Sequence, residues 1–125
     1  MDLQNILAQE GKVRIIQETV PGKQITIAHI IASPDDIIYK KLGLNPTIDY
    51  GKAAIGIICM TPSETAIITG DIASKAADID IGFVDRFSGT LIITGGVAEV
   101  ESAMKAVTNY CRDKLFFTVC EITRT

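Results

Sequence analysis

The chain has no tryptophan, one histidine and only three cysteines, and each scarcity removes a class of chemistry. The single histidine, His29, lies in the strand-like run ITIAHIIA. A histidine-rich zinc site or a Ser-His-Asp triad would have to be built around that one residue. Cys59, Cys111 and Cys120 form no C-x-x-C pair and sit in apolar or amphipathic runs. Their odd number and placement favour reduced, buried thiols over disulfides or metal ligation. There is no G-x-x-x-x-G-K-[ST] phosphate loop, no G-x-G-x-x-G fingerprint and no G-x-S-x-G elbow. Asp71, Asp78, Asp80 and Asp85 come nearest to a carboxylate pair, but Asp78 and Asp80 fall at a helix-to-strand junction, where acids usually face solvent. The residues describe a protein without an active site, and neither cofactor nor metal is expected.

Charge and length narrow the choice further. The net charge is −3 and the lysines and arginines are scattered, so no basic stripe offers itself to a nucleic-acid backbone. The opening MDLQNILAQEGK has neither a positive leader nor a continuous apolar core, which argues against a signal peptide. No segment approaches the roughly 18 consecutive apolar residues of a membrane span. A soluble, cytoplasmic protein is expected, with no nucleic-acid or membrane partner. At 125 residues the chain fits one domain. What it has in quantity is aliphatic residue: 47% of the chain is hydrophobic, rich in Ile and Ala. Such a composition suits a packed α/β core with apolar outer faces, and those faces need partners.

Residues 1–11 show a weak helical spacing (Leu3, Ile6, Leu7) and end at Gly11. They read as a short helix or a disordered extension. Lys12 to Val20 is strand-like, and Val20-Pro21-Gly22-Lys23 has the Pro-Gly order of a type II turn. Gln24 to Ala32 reads as a strand covered on both faces. Ser33-Pro34-Asp35-Asp36 predicts a helix start, with Ser33 as cap and Pro34 at the first helical position, and Gly43 predicts its stop. Residues 45–52 form a loop. Ala53 to Met60 is a buried strand, followed by a predicted capping box at Thr61-Pro62-Ser63-Glu64 and a helix to about Ala77. On that helix Ala66, Gly70, Ala73 and Ala77 form a small-residue stripe suited to helix-on-sheet packing, and Asp71 stands one turn before Lys75. A second helix carries the stripe Val97, Val100, Met104, Val107 and Cys111, and Leu115 to Ile122 predicts a last strand.

Between the two helices, Ile79 to Gly95 contains two apolar runs that meet at Asp85-Arg86-Phe87-Ser88-Gly89. By local chemistry this is a β-hairpin whose turn reverses the chain. If copies of the protein surrounded an axis, the same turn would become a ring lining an opening. From Ala53 onward the order is β-α-β-β-α-β, the split pattern of an α+β, ferredoxin-like antiparallel sheet with helices on one face. The pattern names no function, and one that fits it is an oligomeric domain binding a metabolite between subunits.

Three segments, RIIQETVPGKQITIAHIIASP, AIGIICMTPSETAIITGDIASKAADIDIGF and VDRFSGTLIITGGVAEVESA, closely resemble the circularly permuted bacterial microcompartment shell proteins. These are minor hexameric shell subunits of propanediol-, ethanolamine- and choline-utilising compartments. The likeness spans residues 14–44 and 53–125. The resemblance implies a permuted BMC domain over residues 21–125, preceded by an extension with a β-strand over residues 1–20. It implies a cyclic homohexamer that tiles with other shell proteins, in the cytoplasm, around enzymes the shell encloses. Cyclic rings use heterologous contacts, which gives the apolar surfaces a partner.

Carried over residue by residue, Arg86, Phe87, Ser88 and Gly89 match the loop around the hexamer's central pore. Arg86 would supply a ring of positive charge, and Phe87 an apolar constriction or a contact with the neighbour. Lys75 and Asp78 match the edge between hexamers. The arginine that supports that lysine in unpermuted relatives aligns here with Ser33. Val13, Arg14, Ile15, Ile16, Gln17 and Glu18 match a strand that, with five other copies, forms a small parallel β-barrel over the pore, with either Val13 and Ile15 or Arg14 and Glu18 facing inward. The loop 45–52 is a few residues longer than the family's, and residues 1–11 have no counterpart. No cysteine falls in the turn or the barrel strand, so the iron–sulfur cluster of some relatives is not expected.

Overall fold

The computed structural model describes residues 22–44 and 54–125. Its strands are β1 (Gln24–Ile31), β2 (Ala54–Thr61), β3 (Asp80–Asp85), β4 (Thr90–Gly95), β5 (Thr118–Val119) and β6 (Thr123–Arg124). Its helices are α1 (Asp36–Leu42), α2 (Thr65–Ala76) and α3 (Val97–Asp113). The strands form one sheet in the order β3-β4-β2-β1-β5, with β6 also on β1. Pairing is antiparallel from β3 through to β1 and parallel where β5 and β6 join β1. The α+β class holds, while the expected wholly antiparallel sheet gains a parallel margin. The reason is topological: β1 enters between β2 and the C-terminal segment, so that segment must run alongside it.

Alternation along the strands divides the sheet's two faces. Ile25, Ala28, Ile30, Ala54, Ile58, Met60, Leu91 and Ile93 pack against Ala66 and Ala73 of α2 and Val100, Met104, Val107 and Cys111 of α3. The small residues of α2 are spent on that contact, since Leu91 and Val84 lie 3.6 and 3.7 Å from where a Gly70 side chain would begin. On the other face Ile55 and Ile92 pack with Tyr39 of α1 and with Leu44. Helices therefore lie on both faces, not one, because the N-terminal β1–α1 unit carries its own helix across the sheet. The α1 terminus follows from its glycine: Gly43 has φ 70, and the Gly43 and Leu44 N–H groups return to the Lys40 and Tyr39 carbonyls.

Three predicted boundaries shift. Helix α1 starts after Asp35 with no side-chain cap, not at Ser33 and Pro34. Just past β1, the Ala32 N–H still donates to the Thr125 carbonyl, so the chain is held at the sheet before it turns into the helix. The capping box at Thr61 does not form, because Thr61 remains paired with Gln24 as the last residue of β2. Helix α2 opens instead on tight turns, with Thr65, Ala66 and Ile67 N–H groups donating to Pro62, Ser63 and Glu64 carbonyls. The predicted strand Leu115–Ile122 shrinks to β5. Leu115 and Phe117 donate their N–H groups back to Tyr110 and Cys111 at the end of α3, and Phe116 takes a left-handed φ of 61.

The C-terminal segment is fastened to β1 by main chain and side chain together. The ring nitrogens of His29 lie 2.6 Å from Thr123 Oγ1 and 2.9 Å from Thr125 Oγ1. His29 is thus tied into the sheet. Cys111 is fully buried, and burial pushes its thiol up from 9.0 to about 11. A raised thiol pKa favours the neutral folded form, so the fold loses stability as the pH climbs from 9.0 towards 11. At pH 8 the Cys111 thiol is therefore almost wholly protonated. A maleimide titration is expected to label Cys111 only after unfolding, at least tenfold more slowly than the partly exposed Cys59. Equal rates for the two in the folded protein would contradict the packing.

Candidate functional site

The turn between β3 and β4 is built by one carboxylate. The Phe87 N–H donates to Asp85 Oδ1 at 2.8 Å and the Ser88 hydroxyl to Asp85 Oδ2 at 2.8 Å. The Gly89 N–H closes the turn on the Asp85 carbonyl at 2.9 Å. These donors explain the electrostatics. The Phe87 N–H first, then the Ser88 hydroxyl, hold the Asp85 carboxyl below its ordinary value of 3.8. The aspartate is ionised wherever the sheet is studied near neutral pH.

The base of the turn is anchored to the body of the protein. Gly89 has φ 77, is buried, and accepts the Met60 N–H on its carbonyl at 2.8 Å. A Cβ at Gly89 would collide with the Met60 carbonyl oxygen and stand 3.1 Å from Ser63 Cα. Only glycine meets both demands. The tip, by contrast, projects. Phe87 is 81% exposed, and Arg86 Cζ lies 4.8 Å from the centre of its ring, within cation–π range. Beneath the tip, Ile67, Val84, Asp85, Arg86 and Phe87 line an open groove of about 320 Å³.

The second set of predicted residues lies at the other end of α2. Lys75 Nζ is 2.9 Å from Asp71 Oδ2, the expected one-turn pair, with both side chains exposed. Ile68, Asp71, Ile72, Lys75, Ala76 and Tyr110 line an open groove of about 410 Å³. Asp78 is exposed just past the helix. Ile67 belongs to the first turn of α2 and Lys75 to its last, so about 12 Å of helix separates Lys75 from the turn's groove, although the two grooves approach each other at the adjacent residues Ile67 and Ile68. The structure therefore does not bring the two sets together; α2 spaces them apart. The strand Val13–Glu18 and the loop 45–52 lie outside the described residues. Sequence reasoning named Arg86 to Gly89 and missed Asp85 as the residue that shapes them. The signal was present, since an aspartate followed by Ser at the third position and Gly at the fourth has Asx-turn chemistry.

A β3 edge completes the surroundings. Ile81, Phe83 and Val84 on this outermost strand are 39–45% exposed, and its pairing with β4 is irregular between Ile81 and Phe83. An apolar edge strand is a surface that folded proteins cover. Among the described residues no group of three or more His, Cys, Asp or Glu is placed to hold a metal ion.

A family model described as the BMC domain matches residues 54–125, the stretch from β2 to the end of the described chain. The bacterial microcompartment shell protein EutS of Salmonella typhimurium is 53% identical over 114 residues, covering 91% of this chain and 98% of its own length. The shell protein PduU of the same organism is 51% identical over 112 residues, covering 90% and 93%. A solved structure described as a CutR flat hexamer superposes with a TM-score of 0.78 at 44% identity, covering 86% of this chain and 95% of that one.

Proposed function

The chain belongs to the BMC-domain family of bacterial microcompartment shell proteins, in its circularly permuted branch, and from that membership we propose that it is a structural tile. Copies assemble as a cyclic homohexamer in the shell of a cytoplasmic compartment, beside other shell proteins and around enclosed enzymes. The observation that carries this is near full-length likeness to EutS and PduU together with the flat hexamer of CutR. The exposed apolar edge at Ile81, Phe83 and Val84 supports it, because a ring covers such an edge with a different patch of the next copy.

In this reading residues 21–125 are the tile and residues 1–20 its extension. The Arg86–Gly89 turn lines the central opening, and its firm anchoring at Gly89 suits a fixed aperture. Lys75 and Asp78 stand at the edge between tiles, where the Asp71 partner restrains the lysine. The strand Val13–Glu18 joins five others in a barrel that caps the opening.

Sedimentation velocity on the purified chain tests the assembly. A hexamer is expected, and a persistent monomer in dilute buffer overturns the tile. Deleting residues 1–20 is expected to leave the hexamer intact while uncovering the opening. Loss of the hexamer on that deletion would sink the division into tile and cap. Tight calorimetric binding of one metabolite between the subunits of a smaller oligomer would favour the regulatory alternative instead.

A further inference from the structure

We infer that Asp85 is the positioning residue of the turn: its carboxylate binds the turn's own donors rather than the neighbouring Arg86, whose guanidinium is left to small anions. The anion role rests on the pore reading given above; the positioning does not.

Adjacent acid and base side chains on an exposed turn ordinarily attract each other and cancel. Here both carboxylate oxygens of Asp85 are occupied, Oδ1 by the Phe87 N–H and Oδ2 by the Ser88 hydroxyl. Arg86 makes no ion pair among the described residues; its guanidinium lies over the Phe87 ring instead. A guanidinium held over an aromatic ring still carries its fork of N–H donors, which suits a planar or tetrahedral oxyanion. Asp85 thus has two opposing effects on an anion: its charge repels, and its bonds hold the turn that presents Arg86. The second is the one the geometry builds.

The two effects separate in two variants of the full-length chain. Asp85→Asn loses the charge and keeps an oxygen that accepts the Phe87 N–H; Asp85→Ala loses both. Amide hydrogen exchange of Phe87, read in assembled protein, is expected to speed up about tenfold in Asp85→Ala and to stay within about threefold of the parent in Asp85→Asn. Inorganic phosphate, titrated at low ionic strength, is expected to bind several-fold more tightly to Asp85→Asn and several-fold more weakly to Asp85→Ala. Equal tightening in both variants with unchanged exchange means that Asp85 acts as a charge alone, and overturns the inference. Faster exchange in Asp85→Ala with no phosphate binding to any form, whether or not residues 1–20 are present, supports the positioning role and overturns the anion role. Sedimentation of both variants separates these results from loss of the ring.

Discussion

Gly89→Ala is expected to lower folding stability by about 3 kcal/mol, read as a fall in the urea midpoint at unchanged slope. Two terms make up this figure. A side chain at a left-handed φ costs about 1–2 kcal/mol, and Gly89 has φ 77. The methyl group also meets the Met60 carbonyl oxygen, a main-chain atom that cannot swing aside. Relief requires the turn to lift from β2, which breaks the bond from the Met60 N–H to the Gly89 carbonyl, worth about 0.5–1.5 kcal/mol. Gly43→Ala is the control. Gly43 has a similar φ of 70 but open space around it, so only the first term applies and about 1 kcal/mol is expected. If the two substitutions cost the same, the turn is not seated against β2 and the fixed aperture proposed for it fails.

The contrast between those glycines also shows what a sequence makes legible. Gly43 announced itself as a helix stop because the helix before it is local. Gly89 read only as a turn residue, since its real constraint comes from Met60, 29 positions earlier in sequence and beside it in space. The same division runs through the fold. The continuous apolar run of β2 was legible because a central strand is covered on both faces, and the stripe of α3 because that helix buries one face against the sheet. The cap residues Ser33 and Thr61 were not, because local capping chemistry lost to main-chain bonding at the sheet that extends to Ala32 and Thr61. The strand at 115–122 was overextended for a related reason: its first amides close the end of α3. The placement of α1 on the opposite face followed from β1 entering the sheet between β2 and the C-terminal segment, and a β-α-β-β-α-β pattern read from residue 53 does not contain that strand.

The site was legible in part. Arg86, Phe87 and Ser88 stand at the tip of the hairpin because apolar strands flank a polar, glycine-terminated turn. That they could face an axis is a property of several copies, and one chain's periodicity holds no record of it. Likeness to proteins that form hexamers supplied that idea. The apolar edge of β3 then supplied a physical reason for this chain to need a neighbour.

If Arg86 lines the opening as proposed, Arg86→Glu is expected to turn a preference of the assembled ring for anions into its opposite, with about a tenfold fall in anion occupancy at physiological salt. An anion ~10 Å from each of six unit charges gains ~2.5 kcal/mol in unscreened water. A Debye length of ~8 Å reduces this to ~0.7 kcal/mol. Reversal of the sign turns that gain into an equal cost, a difference of ~1.4 kcal/mol, or about tenfold. The six Asp85 carboxylates are present in parent and variant alike and cancel in the difference. Arg86→Gln should therefore fall midway, near threefold, and the gap between the parent and Arg86→Glu should widen as salt is lowered. The measurement is anion entry into assembled rings lacking residues 1–20, so that the proposed cap does not mask the opening, compared with entry of a cation of equal size. A salt-independent loss shared by Arg86→Gln and Arg86→Glu would mean that the guanidinium acts through its stack on Phe87, as packing. No change in either variant would place the Arg86 charge away from the axis and remove the electrostatic role from the pore.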